Sequence, residues 1–177
     1  MKIKKYGIVL VVLLLAVMVS GCTSDQTIPT KNFSKSGMSF MYPDTWNVTS
    51  QESANATLIL IKNEEILSSN GAKGCVVLIL KVSNASKSNM TQTRDEFATQ
   101  ALSGKNFTNT TIKIASSNAS DMSYIGKDTQ KNESYARLID FTKNDTLYIL
   151  MFATVGGSDM DAAKQYFDVI VKSFKVT

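Results

Sequence analysis

The alternation of apolar and polar residues predicts a chain built mainly of β-strands. Residues 37–42 alternate and then stop at a Pro-Asp turn, and a second short strand is expected at 46–49. Residues 57–62 and 74–82 are apolar without alternation, which is typical of strands covered on both faces. We therefore expect a sheet with packed layers on both sides, and a loop at 64–73 between the two apolar strands.

Strands are also predicted in the second half of the chain. Residues 110–115 and 122–126 have strand character. The pattern at 133–142 and 146–155 predicts a hairpin, because the residues at 143–145 that join the two runs tolerate positive φ.

Two segments have helical spacing instead. From residue 91, Thr93 and Glu96 fit a capping box, an apolar stripe follows at 97–102, and Gly104 ends the helix. After Gly156-Gly157 a second helix is expected, capped by Ser158 with Asp161 completing the box. Its core face is expected to consist of Ala163, Phe167, Ile170 and Phe174, with Lys164, Asp168 and Lys172 on the solvent side and a short strand at 174–176. This order of elements predicts an α+β domain, a largely antiparallel sheet covered by helices.

The first 21 residues have the layout of a cleaved export signal. Three lysines lie among the first five residues, an apolar run covers residues 7–19, and Ser-Gly-Cys follows. This is the order of a prokaryotic lipoprotein signal, with Cys22 as the lipidated first residue of the mature protein. The alternative is an uncleaved transmembrane helix, but the run is shorter than the about 20 residues that a span needs.

A polar stretch follows the predicted lipidation site. Residues 22–36 carry few large apolar side chains and cannot bury enough surface to offset the cost of ordering them. We predict a flexible tether there and a folded domain at 37–177.

Composition narrows the classes of function. Without the three lysines of the signal, sixteen basic residues face fifteen acidic ones, so the net charge is about +1 and a nucleic-acid surface is not indicated. The chain has no histidine, which excludes the usual Ser-His-Asp and Cys-His mechanisms and histidine metal sites. Cys75 opens an apolar run and is interpreted as a small buried residue of a strand, with a reactive thiol as the alternative. With Cys22 lipidated, no internal disulfide is expected.

Ten of the twelve asparagines begin an Asn-x-Ser/Thr sequon, although Ser and Thr make up only about a fifth of the chain. This excess indicates N-glycosylation of an exported surface. The alternative is that Asn, Ser and Thr cluster because all three favour loops. The candidate acceptors are Asn32, Asn47, Asn55, Asn84, Asn89, Asn106, Asn109, Asn118, Asn132 and Asn144.

Dense sequons together with a lipoprotein signal point to an archaeal cell surface. Two stretches, 56–83 and 145 to 177, carry no sequon beyond the one that Asn144 begins. Because a glycan cannot lie between packed surfaces, we expect these stretches to form the core strands and any partner face.

The residues 37–46, which read Gly-Met-Ser-Phe-Met-Tyr-Pro-Asp-Thr-Trp, resemble the opening of PsbP-like domains. Residues 164–175, a last helix that runs into Ser-Phe, are similar to the ending of those domains. The resemblance covers 37–177 and implies the fold of PsbP and of the Ran-binding protein Mog, an antiparallel sheet between helices in an α/β/α sandwich. It also implies a non-catalytic, extracytoplasmic accessory domain.

Few side chains suggest a site. Tyr42 and Trp46 are candidates for a ligand groove, with packing of a turn onto the core as the alternative. Arg137 is a candidate for binding an anion or for pairing with a nearby acid. Asp159 and Asp161 are explained by helix capping rather than by a metal, and Glu64-Glu65 as a solvated loop pair.

We therefore expect a membrane-anchored lipoprotein that binds or scaffolds a membrane or envelope partner and needs no cofactor. A small-ligand-binding lipoprotein that serves transport is the alternative. An enzyme that uses carboxylates or a metal is a third hypothesis, and it requires two acids that converge in a pocket.

Overall fold

Ten strands and one long helix form the part of the chain that the structure describes. This structure is a computed structural model, and it describes residues 28–63, 74–84, 91–92, 95–96, 107–127, 131–156 and 159–177. The elements are β1 Thr30–Lys35, β2 Met38–Pro43, β3 Trp46–Glu52, β4 Ala56–Asn63, β5 Gly74–Ser83, β6 Thr108–Ile114, β7 Ser117–Lys127, β8 Glu133–Lys143, β9 Thr146–Val155, α1 Met160–Ser173 and β10 Lys175–Val176.

Seven strands form the large sheet, in the order β3-β4-β5-β9-β8-β7-β6, and every neighbouring pair is antiparallel. The predicted antiparallel sheet is thus confirmed. The three strands β4, β5 and β9 are adjacent, and they fall within the two stretches that were expected to supply the core strands.

The small sheet has the order β1-β2-β10, and it corrects one expectation. Residues 30–35 were assigned to the flexible tether, but they form β1 and pair with β2 over the whole strand, from Thr30 opposite Pro43 to Lys35 opposite Met38. The Phe33 ring stacks on the Phe40 ring at 4.8 Å. The single phenylalanine of this polar stretch therefore reaches the core, and the folded part begins before Gly37.

Helix α1 was predicted nearly in full, but its N-cap was not. Asp159 is the N-cap, and its carboxylate accepts hydrogen bonds from the backbone amides of Asp161 and Ala162 at 3.0 and 3.1 Å. Ser158, which we expected to be the cap, lies outside the described residues. A carboxylate at this position also interacts favourably with the positive end of the helix dipole, which favours Asp over Ser.

The main core lies between one face of the large sheet and a layer made of α1 and the small sheet. The predicted core face of α1 is confirmed, since Ala163, Phe167 and Ile170 are fully buried and Phe174 is nearly so. Phe167 packs against Phe152 with ring centroids 4.9 Å apart. A second, smaller cluster on the opposite face of the sheet consists of Met122, Leu138, Leu147 and Ile149.

The hairpin of β8 and β9 turns as its sequence predicted. Asn144 and Asp145 have φ values of 49° and 53°, the left-handed conformation that a two-residue type I′ turn requires at both positions. In the predicted first helix, residues 91–92 and 95–96 are helical. Thr93, the stripe at 97–102, Gly104 and the predicted loop at 64–73 lie outside the described residues.

Candidate functional site

Trp46 is part of the core. Only 4% of its surface is exposed, and its ring meets the rings of Tyr166 and Phe167 edge-on at 5.5 and 6.4 Å. These contacts pin the start of β3 onto α1. Tyr42 is half-buried and lies beside Phe40, with ring centroids 6.4 Å apart.

Arg137 is the centre of an ion-pair network on the helix-covered face of the sheet. Its Nε and Nη2 donate to the two carboxylate oxygens of Asp121 at 2.9 and 2.8 Å, and its Nη1 donates to Asp168 on α1 at 3.0 Å. The side chains of Arg137 and Asp121 are only 14% and 11% exposed. Lys172 extends the network with a 3.5 Å contact to Asp168.

This network fixes the charge state of Arg137. Burial opposes a charged guanidinium, yet the hydrogen bond and the attraction from Asp121 outweigh burial and raise the pKa of Arg137 above its ordinary value. These bonds engage all three nitrogens of the guanidinium, and the pair with Asp121 is bidentate, which is typical of a structural ion pair. Arg137 joins β7, β8 and α1.

Tyr135 lies two residues before Arg137 on the same face. Its ring stacks on Phe167 at 6.0 Å, and Lys164 Nζ lies over the same ring, 5.6 Å from its centroid. Burial raises the pKa of Tyr135. The phenol therefore stays protonated well into the alkaline range.

The structure places the three predicted groove residues on three different strands and separates Trp46 from Arg137. Tyr42 is in the small sheet, Trp46 begins β3 at one edge of the large sheet, and Arg137 is on β8. Strands β4, β5 and β9 lie between β3 and β8, so the two strands are about 19 Å apart across the sheet. Sequence patterns predicted that Arg137 pairs with an acid, but the identity of Asp121 depends on the β7–β8 register, which no local signal gives.

The acidic candidates have structural roles where they are described. Asp159 caps α1, and Asp161 pairs with Lys164 at 3.3 Å, three residues further along the same helix. Within the described ranges, no group of three or more His, Cys, Asp or Glu side chains is placed to hold a metal ion. Glu64 and Glu65 lie outside these ranges.

Cys75 is a buried residue of β5, as the apolar run around it predicted. Its backbone amide donates to the side-chain oxygen of Asn63 at 3.1 Å. Asn63 is one of the two asparagines outside the sequon pattern, and it is half-buried in this structural role.

The asparagines of the sequons lie at the surface. Of the ten, Asn89 and Asn106 are outside the described residues; Asn132 is half-exposed, and the remaining seven are exposed. Glycan attachment requires such positions, and none of the eight described acceptors is buried. The surface is thus accessible to modification at every sequon that the structure describes.

No helix among the described residues is long and apolar enough to cross a membrane. The predicted export signal and Cys22 lie outside the described residues.

A protein-family model described as PsbP-like protein matches residues 17–176. No curated protein matched the chain. A crystal structure from Bacteroides thetaiotaomicron has a TM-score of 0.50 at 12% identity, over 83% of this chain and 48% of that one, so the chain spans about half of that protein's length.

Two further solved structures are similar over nearly their whole length. Cyanobacterial PsbP (CyanoP) from Synechocystis sp. PCC 6803 has a TM-score of 0.51 at 16% identity, over 90% of this chain and 99% of that one. LpqN, which is involved in cell envelope biogenesis of Mycobacterium tuberculosis, has a TM-score of 0.49 at 14% identity, over 87% and 94%. At such identities, likeness to solved structures speaks only to the fold.

Proposed function

The chain belongs to the PsbP-like protein family, and from this premise we propose that it is an extracytoplasmic lipoprotein whose domain binds or scaffolds a membrane or envelope partner. The observation that carries the proposal is the basic, apolar and small-residue order that ends at Cys22. The thiol of Cys22 can carry the lipid, and cleavage before Cys22 makes it the first residue of the mature chain; two lipid chains hold a protein stably at a bilayer where one does not.

The properties of the described surface support a binding role. The family description names no enzymatic activity. In the described part of the chain, Arg137 and Asp121 form an ion pair between two strands, and Lys164 and Asp161 form one within α1, so these charges have structural roles. The accessible sequon asparagines support N-glycosylation on the outer side of the membrane. Arg137 and Trp46 are both engaged in the core, which favours docking through a surface over capture of a small ligand in a groove.

The anchor is tested on protein purified from native membranes. We expect the N-terminal peptide to begin at Cys22 and to carry the added mass of a lipid, and we expect Cys22→Ser to retain residues 1–21. Cys75→Ser is the matched control, since that thiol is buried in β5 and its replacement leaves processing unchanged. An unmodified Cys22 in the native protein would overturn the proposal.

The partner role is tested by chemical crosslinking in intact membranes, followed by affinity purification and mass spectrometry. We expect a membrane or envelope protein that is enriched over a sample from the Cys22→Ser strain. Recovery of no such protein from crosslinked membranes would contradict the docking role.

A further inference from the structure

We propose that the domain is polarised along its strands: the chain leaves the membrane at one end of the large sheet, and four glycan acceptors cover the opposite end, which points away from the membrane. The acceptors are Asn55, Asn84, Asn118 and Asn144, and we call their end the distal end. This inference rests on the lipid anchor and the glycans of the proposed function.

The strand register brings the four acceptors to one end. Ser83, just before Asn84, pairs with Thr146, which closes the turn at Asn144. The Ser83 amide also donates to the Asn55 carbonyl oxygen at 2.8 Å. Three separate segments of the chain therefore meet beside one another at the end of β5.

The fourth acceptor joins them through the next turn along the sheet. Lys143 Nζ donates to the carbonyl oxygen of Ala115 at 3.3 Å, so the β6–β7 turn lies beside the β8–β9 turn. Asn118 is the second residue of β7 after that turn and is exposed. Four acceptors, on four segments that contact one another in space, therefore lie at the distal end.

The chain enters at the other end of the sheet, which we call the proximal end. The Pro29 carbonyl oxygen accepts from the Asp44 amide at 3.0 Å, and Lys31 Nζ donates to the Asp44 carbonyl oxygen at 2.7 Å, just before β3 begins. At its other end, β1 reaches the end of β3, where Lys35 pairs with Glu52 at 3.0 Å. Strand β1 therefore runs from the proximal end toward the distal end.

The length of the sheet and the reach of the chain between Cys22 and Pro29 limit how the domain can be oriented relative to the bilayer. Strand β5 has ten residues, so the two ends are roughly 30 Å apart. Seven residue steps separate Cys22 from Pro29, and even fully extended they reach at most about 25 Å. An anchor at Cys22 cannot bring the distal end to the bilayer while the proximal end faces outward.

The competing interpretation is that these asparagines serve only their turns. Asn84 and Asn144 do adopt the left-handed conformation, with φ values of 55° and 49°. A turn needs the asparagine alone, whereas a glycan acceptor also needs Ser or Thr two positions later, and all four have it. The other four described acceptors are not gathered in this way: Asn109 is the second residue of β6 and pairs with Met122 in the middle of β7, and Asn32, Asn47 and Asn132 lie toward the proximal end.

The acceptor part is tested by site-resolved glycopeptide mass spectrometry of the native, full-length protein. We expect glycans at all four distal asparagines, and Asn70→Gln, which removes an asparagine without a sequon, should leave the pattern unchanged. Glycans only at other sequons would overturn this inference while glycosylation itself stands. An absence of glycopeptides would overturn both.

The orientation is tested with two spin labels on the lipidated protein in phosphatidylcholine vesicles that carry a nickel-chelating lipid. Thr45→Cys labels an exposed turn at the proximal end, and Asp145→Cys labels an exposed turn at the distal end and keeps the Asn144 sequon. We expect the nickel to relax the label at Thr45 several-fold more than the label at Asp145.

Equal relaxation of the two labels, or stronger relaxation at Asp145, would overturn the orientation. Lipidated protein that does not bind the vesicles at all would instead contradict the anchor, and with it the proposed function. The buried thiol of Cys75 stays unlabelled, because only 4% of that residue is exposed.

Discussion

At the scale of single residues, the charged side chains of the described surface hold the layers together. Arg137 links two strands of the sheet to α1 through Asp121 and Asp168. Replacing one partner of a largely buried pair costs more than the pair itself contributes, since the other charge remains buried without compensation. Replacing Arg137 alone therefore gives the largest expected change in stability, because it leaves the buried Asp121 without its partner.

We expect Arg137→Met to lower the free energy of unfolding by about 3 kcal/mol, because it leaves the Asp121 carboxylate buried without its partner. Lys172→Met is the matched control on the exposed end of the network, and its effect should stay within about 0.5 kcal/mol. Urea unfolding followed by the fluorescence of Trp46 measures both changes. Equal stability of the two variants would contradict the structural role of Arg137.

The tyrosines predict a dependence on alkaline pH. Burial raises the pKa of Tyr135 and of Tyr148 in the folded protein above the ordinary value of 10.0. Between the unfolded and the folded pKa the unfolded chain loses a proton that the folded protein keeps, so stability is full below pH 10 and falls as the pH rises above it. We expect Tyr135→Phe to match the pH dependence of the wild-type protein from pH 7 to 9 and to lose less stability between pH 10 and 11. An identical alkaline loss in both proteins would contradict this.

At the scale of elements, the sequence was informative where one short pattern decides the structure. The type I′ turn follows from Asn-Asp between two alternating runs, and α1 follows from apolar residues three and four apart. Strand β1 was missed because Phe33 is its single large apolar residue, which is too few to show a strand pattern. What holds β1 in place is its pairing with β2, which the local sequence does not reveal. The N-cap was missed by one residue, a common error where Ser and Asp are adjacent.

Two substitutions at Asp145, in the turn of the β8–β9 hairpin, are expected to change the free energy of unfolding in opposite directions. Glycine adopts the left-handed conformation without steric cost, so Asp145→Gly should raise the free energy of unfolding by about 0.5 kcal/mol. A β-branched residue is strained there, so Asp145→Val should lower it by about 1–2 kcal/mol. Both variants keep the Asn144 sequon, so thermal unfolding of the unglycosylated proteins compares the turn alone. A decrease with glycine would contradict the type I′ geometry.

Helix α1 is held mainly by Phe167. Its ring contacts Trp46, Tyr135 and Phe152, which come from three different strands. We expect Phe167→Ala to destabilise the domain by about 3–5 kcal/mol. Gln165→Ala, on the exposed side of the same helix, should change stability by less than about 0.5 kcal/mol. Near-ultraviolet circular dichroism should lose its aromatic signal only in the first variant.

At the scale of the whole molecule, the small sheet decides where the domain begins. A chain that starts at Ile28 keeps β1, whereas a chain that starts at Gly37 loses the ring of Phe33 from its stack on Phe40. We expect the shorter chain to be less stable by about 2 kcal/mol or more, the contribution of burying one such side chain. Equal urea midpoints of the two chains would contradict a stabilising role of β1 and would favour the prediction of a flexible tether through residue 36.

The fold class and the family were predictable from the sequence, because the two flanking motifs of the PsbP-like domain are contiguous and local. The site was less predictable. Tyr42, Trp46 and Arg137 each had a chemically reasonable role in a groove, but whether they meet depends on the order of seven strands. The archaeal source stays a prediction.

The position of β2 between β1 and β10 has a consequence for how the protein is made. Lys175 pairs with Ser39, so two residues 136 positions apart in the chain must find each other before the small sheet is complete. Contacts between such distant positions slow folding. A nascent chain cannot close this sheet until β10 has emerged, so we expect an arrested chain that ends before residue 174 to be readily digested by protease.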